Sequence, residues 1–222
     1  MGSEVPVIAL DGPGGAGKGA VGRAVAARLG WHYLDSGALY RLAALAALRR
    51  GLASTDVAAV AALIPGLAIE LDDPVARLDG EDASAAIRTE EVSRYASDIA
   101  GAPAVRAALI GRQRALRRAP GLVADGRDMG TVVFPDAQVK LFLTATPQER
   151  ARRRYKQLKE QGIDANLSRL ARELRERDAR DAGRETAPLK MAPDAETLDT
   201  TGQSIEWVVD RVIALTADAS GG

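Results

Sequence analysis

Gly12-Pro13-Gly14-Gly15-Ala16-Gly17-Lys18 fits the pattern GxxxxGK, and its flanks constrain the fold more than any other feature of the chain. Before it runs a short apolar, β-rich segment, Val5 to Leu10, ending in Asp11. After it, Val21, Ala24, Val25 and Leu29 recur at helical spacing, and Gly30 stands where such a helix would stop. Strand, glycine loop and helix in that order make a phosphate cradle. The glycines let successive backbone N–H groups converge on an anion, the helix N-terminus adds partial positive charge, and Lys18 adds a full one. The alternative, a glycine-rich turn without a ligand, is disfavoured by those flanks.

The remaining chain alternates in kind. Leu39 to Leu48 reads as an Ala- and Leu-rich helix closed by Arg49-Arg50-Gly51, and Val57 to Leu63 as another. Between Leu67 and Ile87 short alternating pieces separated by Asp-Asp-Pro and Asp79-Gly80 predict a small antiparallel insert. Glu90 to Arg118 is helical with a break near Gly101 to Pro103. Gly121 to Asp125 and Val139 to Leu143 read as buried strands. Pro147 opens a charged helix through Glu160, Gly162 breaks it, Leu167 to Arg180 resumes it, and a strand at Thr197–Leu198 precedes a helix from Ile205 to Leu215. This order predicts an α/β fold, a P-loop NTPase core with a mostly parallel central sheet flanked by helices. Ligands in such sheets bind beyond the carboxyl ends of the strands. Asp35, Asp125 and the glycine loop all stand at such ends and are expected to converge.

Composition excludes whole classes. There is no Cys and a single His, which removes thiol chemistry, disulfides and multi-His metal sites. Thirty Lys plus Arg cancel thirty Asp plus Glu, so no global field favours a nucleic acid or an anionic membrane. Apolar runs fall far short of the ~20 residues that span a bilayer, and a cytoplasmic chain is the expectation. With 46% hydrophobic but only 4% aromatic residues, the core must be aliphatic. Arg outnumbers Lys heavily, which suits phosphate chemistry and equally fits a codon bias, so position has to decide.

Three clusters follow the strand-like pieces or end the long helix: Asp35-Ser36-Gly37-Ala38-Leu39-Tyr40-Arg41, Asp125-Gly126-Arg127-Asp128-Met129-Gly130-Thr131, and Arg177 to Arg184 with the spacing RDxRDxxR. Together with the glycine loop they resemble bacterial cytidylate kinases, from about Val7 to Val212. That resemblance implies ATP-dependent phosphorylation of CMP and dCMP to CDP and dCDP, with Mg²⁺ accompanying ATP. It implies a single cytidylate kinase-like domain over 1–222, with an acceptor insert at about 40–110 and a helical lid at about 148–184. The glycine loop, Gly12 through Lys18, with Gly19 and Ala20 and with Arg153 from the lid, is implied to hold ATP. Arg41, Arg127 and Arg184 are implied to grip the acceptor phosphate, and Arg177 and Asp181 the ribose hydroxyls. Ser97, Arg106 and Asp128 are implied to read the base, with Ser36 and Tyr40 beside them. Lys18, Arg127 and Arg184 are the catalytic candidates. Such kinases commonly read GKGT, so Gly19 is expected and only Ala20, in place of Thr, departs. ATP and CMP or dCMP are the expected partners, with no nucleic acid and no membrane, and the expected state is a monomer.

Several residues stay open at this level. Arg150, Arg152, Arg153 and Arg154 are either lid residues over ATP or an exposed helix face. Arg112, Arg114, Arg117 and Arg118 read as solvated charges. His32 reads as a hydrogen-bonded structural residue, Tyr40 as core or base-lining, and Trp207, at helical spacing with Val208, Val212 and Leu215, as packing.

Overall fold

The first strand, β1 (Val7–Asp11), is buried along its whole length, and its alternation splits the core in two. Val7 and Ala9 enter one apolar cluster while Ile8 and Leu10 enter another, so both faces of the strand are covered. A computed structural model describes residues 5–160, 162, 164–184, 186 and 188–220, the last three without side chains; Gln161 and Ile163, inside the expected lid, lie outside it. The other strands of the main sheet are β2 (His32–Asp35), β6 (Leu122–Asp125), β7 (Val139–Thr144) and β8 (Glu196–Asp199). Their order is β2-β6-β1-β7-β8, and every pairing is parallel. Register places Asp35 opposite Asp125 and Asp125 opposite Leu10, so three strand ends finish along one edge.

On the Ile8 face lie α1 (Lys18–Leu29) and α8 (Ile205–Ser220). The first begins after Gly17 at φ 93 and stops at Gly30, whose left-handed φ of 65 lets its N–H close on Ala26 and Ala27 carbonyls. On the other face α2 (Ser36–Arg49) is apolar almost all round, because the rest of the insert wraps it. Asp35 caps it by accepting from the Ala38 N–H at 3.0 Å. The insert contains α3 (Val57–Leu63), an antiparallel sheet of β3 (Ile69–Asp72), β4 (Val75–Leu78) and β5 (Glu81–Asp82), then α4 (Glu90–Ile99) and α5 (Pro103–Ala115). The expected Asp-Gly turn is present, with Asp79 and Gly80 at φ 52 and 83. Past β6 the chain makes a π-helical turn, Met129–Val133. Two helices, α6 (Pro147–Glu160) and α7 (Leu167–Ala182), complete the fold. Among the described residues no helix is long and apolar enough to cross a membrane.

Two sequence readings are corrected. Trp207 does not pack: it is 46% exposed, because α8 turns Val208, Val209 and Val212 to the sheet and a residue one position earlier swings about 100° away. Arg112 and Arg117 are half-buried structural clamps rather than solvated charges, Arg114 is exposed as read but also clamps backbone carbonyls, and Arg118 is exposed. Arg112 reaches the carbonyls of Ile64, Pro65 and Leu67 at 2.8 to 3.1 Å, and Arg114 those of Val132 and Val133 at 3.0 Å. Arg117 reaches Val5 at 2.6 Å and pairs with Asp136. Short helical turns leave carbonyls without partners, and a guanidinium fork can cover several of them at once. His32 is structural as read, its ring 3.0 Å from the Ala119 carbonyl.

Candidate active site

The glycine loop is held in a shape that side chains would forbid. Gly12 has φ 140, and a Cβ there would meet the Leu143 carbonyl oxygen at 2.0 Å; at Gly15, φ 81, it would press on Arg150 at 3.0 Å. Lys18 is buried and donates to the Pro13 carbonyl at 3.0 Å, with its ammonium 3.8 Å from Asp125. Burial, helped by the Arg127 charge, pushes Lys18 down to about 8, against the opposing pull of Asp125 and Asp11. Burial likewise raises Asp125, and the Tyr33 hydroxyl donates to it at 3.2 Å. Gly19 stands beside this buried carboxylate: a Cβ there would lie 3.5 Å from its Oδ2 and 3.1 Å from the Arg23 guanidinium. The N–H groups at the start of α1, that of Ala20 among them, lie ahead of the first ladder bond, Val21 to Gly17 at 3.0 Å.

All ten residues implied for the acceptor line one cleft of about 550 Å³, its open mouth included: Ser36, Tyr40, Arg41, Ser97, Arg106, Arg127, Asp128, Arg177, Asp181 and Arg184. They come from α2, α4, α5, the loop after β6, α7 and the segment behind it, so only the fold assembles them. Arg106 and Asp128 form a buried ion pair, and Arg106 also donates to the Tyr40 hydroxyl at 3.2 Å. Asp181, 1% exposed, collects Arg127 at 3.0 Å and Arg184 at 2.6 Å, while Arg177 stands 4.0 Å away. Burial alone would raise Asp181; the charges of Arg127, Arg184 and Arg177 together hold it below the usual carboxylate range. Burial and the Arg127 charge push Arg177 down to about 10. Arg41 donates to Asp35 at 2.8 Å. Arg41 Nε, Arg177 Nε and Ser97 Oγ are buried at this cleft without a hydrogen-bond partner. Buried cations crowded together with spare donors describe a site shaped for an anion with hydroxyl groups attached.

The α6 arginines, open from sequence, divide. Arg150 is buried, donating to the Gly14 and Ala145 carbonyls at 3.1 Å and pairing with Asp178 at 2.7 Å, so it braces the glycine loop from behind. Arg153 stands beside the loop, 3.4 Å from where a Gly17 Cβ would be, and is bonded to Glu149 and Thr200. Arg152 is exposed. Arg154 is half-buried and donates to Gln157 at 2.8 Å, and burial and the Arg41 charge lower it. Helix α7 reaches across to α4 through Arg169–Glu90 at 3.0 Å and Arg180–Asp98 at 3.5 Å.

Sequence reasoning missed Asp11, Thr200 and Gln113. The Thr200 hydroxyl lies 3.0 Å from the Ala16 and Thr144 carbonyls, tying β8 to the glycine loop, and Gln113 accepts from Ser36 at 2.8 Å. Only Asp11 carried a signal, a charge ending an otherwise apolar buried strand.

The cytidylate kinase family model matches residues 8–218. The cytidylate kinase of Bordetella bronchiseptica is 59% identical over 208 residues, covering 94% of this chain and 93% of that protein. That of Burkholderia ambifaria is 57% identical, covering 94% and 91%. Among solved structures, a gluconokinase from Sinorhizobium meliloti 1021 is 16% identical with a TM-score of 0.49, covering 97% of this chain and 94% of that one. With a family match over nearly its whole length and relatives well above half identity, this chain belongs to the cytidylate kinase family.

Proposed function

We propose that this chain transfers the γ-phosphoryl group of ATP to CMP and dCMP, giving CDP and dCDP. The observation that carries the reading is the single cleft that joins clustered arginines, spare buried donors and the Arg106–Asp128 pair beside the glycine loop. ATP phosphates rest on the loop from Gly12 to Ala20, with Lys18 and the start of α1 supplying charge and Arg153 closing from α6. Arg41, Arg127 and Arg184 neutralise the acceptor phosphate and hold it in line with the γ-phosphoryl group. Phosphoryl transfer needs chiefly such positioning and charge stabilisation. Arg177 and Asp181 take the ribose side, and Ser97 stands with the base-reading residues. The Asp128 carboxylate accepts from the cytosine amino group while Arg106 donates to the ring acceptors, and uracil's inverted pattern leaves both unsatisfied.

Hard oxygen donors suit Mg²⁺, and Asp125, the carboxylate 3.8 Å from the Lys18 ammonium at the glycine loop, is the residue that would hold its water shell beside phosphate oxygens. Bound there, the ion would neutralise charge on the phosphates. Both nucleotide sites come from one chain, so a monomer is sufficient, with an acceptor insert at about 40–110 and a lid at about 148–184 that closes over the nucleotides.

Asp128→Asn is expected to erode the preference for CMP over UMP by about 1 to 3 kcal/mol, read as the ratio of the two kcat/KM values. An unchanged ratio would move base reading to Ser97 or Tyr40. Ala20→Thr is expected to lower the ATP KM by up to about a hundredfold while changing kcat much less, since a hydroxyl to a charged phosphate is worth about 1.5 to 3 kcal/mol at most. A wild type that turns over only after this substitution would contradict that account of Ala20.

A further inference from the structure

Asp11 is the charged residue that ends the buried strand β1, and no role described above uses it. Its two carboxylate oxygens accept from the Met129 and Gly130 N–H groups, each at 2.8 Å, and the residue is 3% exposed. Burial pushes it up to about 6 in spite of both bonds, so the interior keeps a group that is costly to ionise there. At Gly130 a Cβ would be in ordinary contact with the carboxylate, at 3.5 Å, and would crowd only the Lys140 side chain, at 3.2 Å. The two N–H groups follow directly on Asp128, the partner of buried Arg106. The other end of the same turn is fixed by Arg114 on the Val132 and Val133 carbonyls. A turn gripped at both ends gives Asp128 little freedom of direction. Both grips are charge-assisted pairs of hydrogen bonds, and the Asp11 pair, at 2.8 Å, is the one next to Asp128.

We propose that Asp11 is a positioning residue for base selection: by holding the Met129 and Gly130 N–H groups it sets where Asp128 and Arg106 stand, so the residue that opens the phosphate loop also governs which acceptor base is taken. This rests on the reading of Asp128 and Arg106 as the cytosine-reading pair. A purely structural staple would change stability alone, whereas a positioning role changes selectivity.

The test measures kcat and KM for CMP and UMP, the ATP KM and the melting temperature in Asp11→Asn, Gly130→Ala and Asp128→Asn. Asp11→Asn keeps one acceptor and sets an amino group against the second N–H. It is expected to raise the CMP KM about tenfold and to cut the CMP-over-UMP ratio about tenfold, with the ATP KM within about threefold of wild type. Gly130→Ala leaves Asp11 in place and in ordinary contact at 3.5 Å, but sets a methyl group 3.2 Å from the Lys140 side chain, so it displaces the turn from the side opposite Arg114 and is expected to shift the same ratio in the same direction by about threefold. If Asp11→Asn does not fold, Gly130→Ala decides by that ratio. An unchanged ratio in the folded variants, alongside a reduced ratio in Asp128→Asn, overturns the proposal and leaves the base-reading pair standing. A raised ATP KM with an unchanged CMP KM also overturns it, placing Asp11 on the donor side. An unchanged ratio in Asp128→Asn itself overturns the base-reading assignment and the proposal with it.

Discussion

Replacing Arg184 with alanine is expected to cut turnover with CMP by about 10² to 10⁴-fold while the ATP KM moves by less than about threefold. The expectation follows from where the guanidinium stands. Arg184 closes the acceptor cleft, its side chain largely buried, bonded to Asp181 at 2.6 Å and to the Ser97 carbonyl at 3.4 Å. Asp181 retains Arg127 at 3.0 Å after the substitution, so the carboxylate is not stranded and the fold should survive. What is lost, under the proposed assignment, is one of the charges that hold the acceptor phosphate during transfer. Steady-state kinetics with CMP varied at saturating ATP, beside a melting curve, checks this. Near-normal turnover would make Arg184 a structural partner of Asp181 and nothing more.

Lys18→Ala is expected to lower kcat/KM for ATP by about 10² to 10⁴-fold, because its ammonium, bonded to the Pro13 carbonyl, is the charge held within the glycine loop to meet the phosphates. A second signature separates charge from packing. Burial first, and the Arg127 charge second, depress Lys18 to about 8, so in the free protein its ammonium is intact below that pH and is lost as pH rises through it. Phosphate binding needs the charged form. The wild-type pH profile of kcat/KM for ATP should therefore be level up to about 8 and fall above it, and the residual activity of Lys18→Ala should lack that alkaline limb. A limb of equal size in the variant would assign the titration to another group.

How much was legible in the sequence depended on whether the determining residues are neighbours in the chain. The phosphate loop could be read in full because strand, glycines, Lys18 and helix are contiguous and each has a local reason. Helix ends at Gly30 and Pro103 and the Asp79-Gly80 turn were legible for the same reason, whereas α2 was read from Leu39 and starts at Ser36 behind its Asp35 cap. The acceptor cleft was legible only through resemblance, since its residues are spread from Ser36 to Arg184 and nothing local says that Arg106 meets Asp128 or that Asp181 gathers Arg127 and Arg184. Arginines were the hardest case. Arg112 covers loop carbonyls, Arg150 braces the glycine loop and Arg152 is exposed, and these fates differ by what the fold brings near, which composition and spacing do not record. Trp207 shows the limit of helical periodicity: the stripe containing Val208 and Val212 and the position just before it share one run of apolar letters, and only the angle of α8 on the sheet separates them.

The central claim is that the cleft beside the glycine loop selects a cytidine monophosphate as phosphoryl acceptor. The most direct measurement is coupled ADP release with CMP, UMP, AMP and GMP offered separately at saturating ATP and Mg²⁺, and with dCMP as a fifth acceptor. The account predicts turnover confined largely to CMP and dCMP. Comparable turnover with AMP or GMP, or ATP binding with no turnover on any acceptor, would contradict it.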